Sequence, residues 1–210
     1  MNLLVIGSTG PLGRLIVDSA LAAQHNVTVL MRNLSSAQFS SKVKRMQGDV
    51  LRVESLAEAM RGQHAVISSL GSKISLKPIT ILSDGTRNMV TAMRGSGVRR
   101  FVCVTGIGAG DSKGHGGFLY DHLIQPFLLN QVYLDKTRQE AVVRESGLEW
   151  TIVRPAQLTN GPARGPMAYR VLSDLNGITA TKISRKDVAD FTVETLLKPD
   201  HSGKAVLITY

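Results

Sequence analysis

The turn after the first apolar segment constrains the fold most. Residues 2–6 form a short apolar run, and Gly7, Gly10 and Gly13 follow it with two residues between successive glycines. This spacing is typical of a strand that turns tightly into a helix and holds a dinucleotide pyrophosphate. Gly7 permits the turn, Gly10 lets the backbone approach phosphate, and Gly13 lets the helix pack close to the strand. A glycine-rich turn without a ligand is the alternative interpretation.

The helix that follows this turn is predicted over residues 11–23. Pro11 suits its first position, where a missing N–H costs nothing. Free N–H groups and the helix dipole favour an anion at this end. We therefore expect the whole loop to contact the pyrophosphate, through Gly7, Ser8, Thr9, Gly10, Pro11, Leu12 and Gly13.

Strand and helix patterns alternate along the rest of the chain. Strands are predicted over residues 2–6, 26–31, 43–47, 65–69, 100–105, 150–154, 178–183 and 205–208, and helices over 11–23, 53–60, 79–94, 131–146 and 186–197. Residues 106–130 are glycine-rich and predicted to be irregular. Such alternation requires crossover connections, so we expect an α/β fold: a Rossmann-like, doubly wound, mostly parallel sheet with helices on both faces.

Length and composition favour one domain over residues 1–210, with small substrate-side elements at about residues 155–183. No apolar segment is long enough to cross a membrane, and we expect no signal peptide. The single cysteine, Cys103, lies in an apolar run and is predicted to be a core residue rather than a nucleophile. These features favour the cytoplasm.

The formal net charge of +9 attracts polyanions in general. The basic residues are scattered and few aromatic residues accompany them, so we expect a phosphorylated cofactor rather than nucleic acid. The five histidines show no metal-ligand spacing, and we predict no metal.

Ligands of such sheets bind at the carboxyl ends of the strands. Arg32 follows the second strand, where an acidic residue would bind the ribose of NAD and an arginine accommodates the 2′-phosphate of NADP. We therefore predict NADPH over NADH, with a solvated surface arginine as the alternative. Asn33 is a weaker phosphate contact.

Two more strand ends supply candidate cofactor contacts. After the third strand, Asp49 either binds the adenine amino group or caps the next helix, and Val50 lies beside it. After the fourth strand, topology places Ser69, Leu70 and Gly71 near the cofactor, although Ser69 can serve packing alone.

Three segments carry a resemblance to a known family: residues 70–105, residues 144–155 (RESGLEWTIVRP) and residues 183–189 (ISRKDVA). They resemble atypical short-chain dehydrogenases/reductases, and more specifically the NADPH-dependent flavin reductase (biliverdin IXβ reductase) group with its NmrA-like bacterial relatives. The resemblance implies NADPH as cofactor. It also places further residues around the nicotinamide: Thr105, Gly106, Pro155, Ala156 and Leu158.

The expected catalytic residues depart from the family pattern. Ordinary members use a serine and a Tyr-x-x-x-Lys pair, whereas Tyr133 and Lys136 are one residue too close. Gly106 stands at the serine position of the flavin reductases, and Lys136 at their helix histidine. Lys136 would stabilise negative charge or contact the nicotinamide ribose; the alternative is a surface lysine paired with Glu140. Tyr133 is either a proton donor or a structural residue.

The leading hypothesis is a reductase that transfers hydride from NADPH to a flavin or another planar acceptor, such as a quinone or a biliverdin-like tetrapyrrole. A non-catalytic, NADP(H)-sensing regulator is the alternative, and a sugar-nucleotide epimerase is disfavoured. Residues 106–130 would then act as a flap over the substrate. Monomer and homodimer both remain open.

Overall fold

We analysed a computed structural model of the chain, which describes the backbone of residues 1–210 and every side chain except that of Pro199. The strands are β1 (Asn2–Ile6), β2 (Asn26–Met31), β3 (Lys44–Gln47), β4 (Ala65–Ser68), β5 (Arg100–Val104), β6 (Glu149–Pro155), β7 (Gln157–Thr159), β8 (Arg170–Leu172), β9 (Lys182–Ser184) and β10 (Lys204–Thr209). Eight of them form one sheet in the order β3-β2-β1-β4-β5-β6-β10-β8. Within it only β8 is antiparallel, against β10. The remaining two, β7 and β9, pair in parallel.

Five α-helices connect the strands: α1 (Pro11–Ala22), α2 (Val53–Met60), α3 (Ile81–Ser96), α4 (Asn130–Arg144) and α5 (Arg185–Glu194). A wider π-helix over Tyr120–Leu129 runs directly into α4. In the part of the chain that the structure describes, no helix is long and apolar enough to span a membrane.

The central strands β1, β4 and β5 are buried on both faces of the sheet because they are apolar at successive positions. In β1, Leu3 and Val5 belong to the core cluster that includes residues of α1 and α5. Leu4 and Ile6 belong to the second cluster, which includes residues of α2, α3 and α4. The predicted doubly wound α/β fold is confirmed. Cys103 is fully buried in the second cluster, and burial raises the pKa of its thiol, so its prediction as a core residue is also confirmed.

Several local predictions are wrong. Residues 120–129 are helical, whereas residues 106–130 were predicted to be irregular because of their glycines, all of which precede residue 118. The helical part is a π-helix, in which each turn is wider than in an α-helix. The strand expected over residues 178–183 is only Lys182–Ser184, and the loop after β6 contains the short strands β7 and β8. Pairing with distant segments forms these three-residue strands, and a local pattern does not reveal such pairing.

The strand order places the candidate site along one edge. Moving outward from β1, the strands β2 and β3 lie on one side and β4, β5 and β6 on the other. The chain therefore reverses its direction of winding at β1, whose end carries the glycine turn. Parallel pairing brings the carboxyl ends of all six strands to the same edge of the sheet.

Candidate functional site

The glycine turn after β1 is packed so tightly that side chains are excluded at two positions. Gly7 has φ +79°, and a β-carbon on it would lie 2.5 Å from the backbone oxygen of Ser69. A β-carbon on Gly13 would lie 2.1 Å from the backbone oxygen of Gly7. These contacts hold the start of α1 against the ends of β1 and β4, and they leave the N-terminus of α1 facing the edge of the sheet.

The same turn contains an unsatisfied polar group. The Ser8 side chain is 1% exposed, and its hydroxyl has no hydrogen-bond partner among the described residues. A buried hydroxyl without a partner is costly, and a ligand oxygen is the kind of group that would satisfy it. Pro11 occupies the start of α1 as expected. The loop therefore fits an anionic group such as a pyrophosphate.

A cavity of about 480 Å³ opens beside the ends of β2 and β3. Arg32 lies on it, as does Arg52, which precedes α2. The remaining lining residues are Gln47, Gly48, Asp49, Glu54, Ser55 and Glu58. Two guanidinium groups and three carboxylates thus share one cavity. We call it the adenosine-end cavity, because the ends of β2 and β3 are where the sequence predicts the adenosine end of the cofactor.

Asp49 was predicted either to cap the next helix or to bind the adenine amino group, and the structure tests the first of these. The N-cap of α2 is Arg52, without a side-chain cap, so the capping alternative is wrong. One carboxylate oxygen of Asp49 instead accepts a hydrogen bond from the N–H of Leu51 at 2.9 Å. Val50 is buried in the core cluster behind the cavity.

Two other predicted contacts are engaged locally. The Asn33 side chain accepts from the N–H of Ser35 at 2.8 Å and so forms a turn after β2. The hydroxyl of Ser69 donates to the backbone oxygen of Ile6 at 3.2 Å, which joins the ends of β4 and β1. After Ser69, Leu70 is half-buried and Gly71 is exposed.

On the other side of β1, the candidate catalytic residues meet at the end of β5. Lys136 Nζ donates to the backbone oxygen of Thr105 at 2.6 Å and lies 4.8 Å from the centre of the Tyr133 ring. A β-carbon on Gly106 would lie 3.0 Å from Lys136 Nζ and 3.1 Å from the Tyr133 hydroxyl. An ammonium and a phenol therefore adjoin Gly106.

The predicted alternative for Lys136, an ion pair with Glu140, is wrong. Glu140 is 1% exposed and binds Arg154 on β6, which is 2% exposed. Thr105 completes this group because its hydroxyl donates to Glu140 Oε1 at 2.7 Å. Asp111 also binds Arg154 from the loop after β5.

The segment after β5 covers this end of the sheet. The side-chain amide of Gln125 donates to the backbone oxygen of Gly108 at 2.9 Å. The Tyr120 hydroxyl lies 3.5 Å from the backbone oxygen of Ile107. The rings of Tyr120 and Tyr133 meet edge to face at 6.1 Å. Burial, followed by the neighbouring Tyr133, raises the pKa of Tyr120, so its hydroxyl stays protonated. The outer side of this segment exposes apolar side chains: Phe118, Leu119, Leu123, Phe127 and Leu128.

The loop after β6 lies beside the same position. The backbone oxygen of Pro155 accepts from the N–H of Ile107 at 3.0 Å, and the Ala156 N–H donates to Ile208. Leu158, in β7, pairs with Ile183 of β9 and packs against the core.

Sequence reasoning missed two parts of the site. Arg52 lines the adenosine-end cavity, and its place three residues after Asp49 was the available signal. The Glu140–Arg154 pair joins α4 to β6. It was missed because Glu140 lies four residues after Lys136 on α4, a spacing that predicted an ion pair between those two residues instead. Tyr120 lies within residues 106–130, which were predicted only as a flap.

Known proteins resemble this chain over nearly its whole length. A sequence model of a family described as NAD(P)H-binding matches residues 7–199. An uncharacterized chloroplastic protein of Arabidopsis thaliana is 30% identical over 213 residues, which cover 97% of this chain and 75% of that protein. The NAD(P)H azoreductase of Xenophilus azovorans is 25% identical over 215 residues, which cover 99% of this chain and 67% of the azoreductase.

Solved structures confirm the fold. ChuY, an anaerobillin reductase from Escherichia coli O157:H7, matches with a TM-score of 0.84 and 22% identity, and the match covers 100% of this chain and 97% of that one. At this identity the likeness concerns the fold alone.

Proposed function

Because this chain belongs to the NAD(P)H-binding family, we propose that it is an NADPH-dependent reductase of a planar acceptor such as a flavin, a quinone or a biliverdin-like tetrapyrrole. The observation that carries the proposal is the meeting of Lys136 Nζ and the Tyr133 hydroxyl beside Gly106, at the end of β5. The Xenophilus azovorans relative is an azoreductase, and the conjugated azo group that its name implies as substrate supports this class of acceptor.

The residues that would hold the cofactor run along one edge of the sheet. Arg32 and Arg52 would hold the 2′-phosphate, Ser8 and the start of α1 the pyrophosphate, and the loop at Pro155 the nicotinamide. When bound, NADPH supplies a hydride to an acceptor stacked against its nicotinamide ring.

Two side chains serve the acceptor in this proposal. Two electrons and one proton reach it as hydride, and a second proton completes the reduced product. The Lys136 ammonium stabilises the negative charge that develops before this protonation, and the Tyr133 hydroxyl or water donates the proton. Contact of Lys136 with the nicotinamide ribose is part of the same proposal.

An acceptor screen tests the proposal. NADPH oxidation is followed by absorbance with FMN, FAD, quinones and biliverdin, for the wild type, Lys136→Met and Tyr133→Phe. Lys204→Met is the control, because Lys204 is exposed at the start of β10, on the opposite edge of the sheet. Sustained oxidation that Lys136→Met slows supports the reductase. Tight NADPH binding without turnover with any acceptor contradicts it and supports the NADP(H)-sensing regulator.

The exposed apolar side chains after β5 support a flat, apolar acceptor. Phe118 is 78% exposed and lies two residues before Tyr120, whose ring contacts that of Tyr133. Phe118→Ala should raise the KM for the acceptor and leave NADPH affinity unchanged. Leu197→Ala is the control, because Leu197 is similarly exposed at 66% but lies after α5. Equal KM values for Phe118→Ala and the wild type would exclude this side chain from the acceptor site.

We also propose that the chain is a single domain in which residues 155–183 form the substrate side. We further propose that it acts in the cytoplasm. The chloroplastic Arabidopsis relative makes location a separate question. Fractionation of the source cells, with detection of the native protein, tests it; recovery from a membrane-enclosed compartment would contradict the proposal.

A further inference from the structure

The buried Glu140–Arg154 pair explains why Lys136 is held in one position. Lys136 and Glu140 lie four residues apart on α4, a spacing at which opposite charges normally pair. None of the ion pairs among the described residues includes Lys136. The carboxylate is engaged elsewhere, and the ammonium is left for another partner.

Arg154 is the group that holds Glu140 away. Its Nε donates to Glu140 Oε1 at 3.0 Å, and its Nη2 donates to Oε2. Both partners are almost wholly inaccessible to solvent. Because a buried charge requires a partner, this pair stays closed, and Glu140 does not turn towards Lys136.

Thr105 connects this pair to Lys136. Its hydroxyl donates to Glu140 Oε1 at 2.7 Å, and its N–H donates to the backbone oxygen of Val153 at 2.9 Å. These two bonds hold the backbone N–H and the side chain of Thr105, the residue whose carbonyl oxygen accepts from Lys136 Nζ. The remaining N–H groups of the ammonium are then oriented by rigid backbone rather than by a mobile side chain.

We propose that Glu140, held by Arg154, is the positioning residue for Lys136 and acts through Thr105. Glu140 touches neither cofactor nor acceptor in this role. Because Glu140 pairs with Arg154, the Lys136 ammonium forms no ion pair with it. Through Thr105, Glu140 also holds the ammonium at a fixed place beside Gly106. The inference rests on the proposed function, because it assumes that Lys136 contacts the acceptor or the nicotinamide ribose.

A double-mutant cycle tests the proposal. Thr105→Val removes the hydroxyl and keeps the side-chain shape, while Thr105→Ser keeps the hydroxyl. Both are compared with Lys136→Met and with the Thr105→Val/Lys136→Met double variant. Thr151→Val is the matched control, since Thr151 is also a buried threonine, and its hydroxyl donates to the backbone oxygen of His201.

The readouts are the rate of NADPH oxidation and the affinity for NADPH, and the second needs no acceptor. Lys136→Met should lower the rate of NADPH oxidation, the affinity for NADPH, or both. We expect Thr105→Val to lower the same quantity by about tenfold, the size of one lost charge-assisted contact. Thr105→Ser should restore it to within about twofold, and Thr105→Val should have no further effect in the Lys136→Met background.

Three results would overturn the proposal: full additivity in the double variant, a Thr105→Val effect no larger than that of Thr151→Val, or no effect of Lys136→Met on either readout. If Thr105→Val does not fold, Glu140→Gln replaces it in the same cycle, with the same expected non-additivity. If no acceptor is reduced, the proposed function fails, but the NADPH affinities still decide whether Glu140 positions Lys136.

Discussion

Gly13 packs directly on Gly7: a β-carbon on Gly13 would lie 2.1 Å from the backbone oxygen of Gly7. Gly10 differs, because a β-carbon there would lie 3.5 Å from the same oxygen, in ordinary contact. Two glycines of one motif therefore have different reasons to be glycine. Gly13 is required by the fold of the protein itself, whereas packing does not require glycine at position 10, where we propose that the approach of the pyrophosphate does.

Alanine at these two positions should separate stability from cofactor binding. Gly13→Ala should lower both the free energy of unfolding and NADPH affinity, because the start of α1 must shift. Gly10→Ala should leave stability within about 1 kcal/mol of the wild type and weaken NADPH binding. Urea unfolding and NADPH fluorescence titration measure the two quantities. Unchanged NADPH affinity in Gly10→Ala would remove the assignment of this turn to the pyrophosphate.

Arg32→Ala and Arg52→Ala should each lower affinity for NADPH by about tenfold to a hundredfold, the contribution of a charge-assisted bond to phosphate. Affinity for NADH should change little, because NADH has no 2′-phosphate. Arg61→Ala is the control, since Arg61 is exposed after α2 and does not line the adenosine-end cavity. Titration of both cofactors provides the measurement. Equal losses for NADPH and NADH would contradict preference for the phosphorylated cofactor.

The parts of the molecule that were predicted correctly have local signals. The spacing of Gly7, Gly10 and Gly13 encodes a strand, a turn and a helix within a few residues. Apolar periodicity then identifies the other strands of the parallel sheet, and the rule that ligands bind at the carboxyl ends of the strands predicts Arg32 at that edge. Lys136 lies on a helix and came instead from the family resemblance.

The parts that were missed depend on partners distant in sequence. Strand β7 exists because it pairs with β9, where Leu158 lies opposite Ile183. Lys136 and Glu140 have the spacing of an ion pair, but Arg154 on β6 takes the carboxylate. A helical pattern reports which residues share a face, and it does not report which buried group competes for them.

Removing one partner of the buried Arg154–Glu140 pair should lower the free energy of unfolding much more than replacing both partners with apolar residues. Arg154→Met should lower the free energy of unfolding by about 3–5 kcal/mol, because it leaves a buried carboxylate without its main partner. Arg154→Met combined with Glu140→Leu should recover most of that loss. Arg87→Met, which removes an exposed partner of Asp84 on α3, should cost no more than about 1 kcal/mol. Urea unfolding measures all three. A double variant as unstable as Arg154→Met would show that the loss does not come from an unpaired charge.

Asp187 should make the stability of the protein depend on pH. Its buried carboxylate accepts hydrogen bonds from the hydroxyls of Tyr210 and Ser184 and from the N–H groups of Arg164 and Gly165. Burial by itself would raise the pKa of Asp187, but these hydrogen bonds outweigh it and lower the pKa below the usual carboxyl value. A folded-state pKa below the unfolded one adds stability that is complete above the unfolded value and is lost as the pH falls through the folded value.

Asp187→Asn should therefore be less stable than the wild type by about 1.5–3 kcal/mol at pH 7, the contribution of hydrogen bonds to a charged group. The difference in Tm between the two proteins should shrink as the pH falls below about 4, where the carboxylate of the unfolded wild type becomes protonated. Thermal unfolding between neutral and acidic pH measures it. Asp18→Asn is the control, because Asp18 is exposed on α1 and should give a small difference throughout. A difference for Asp187→Asn that stays constant or grows on acidification would show that the carboxylate is not held in its charged form.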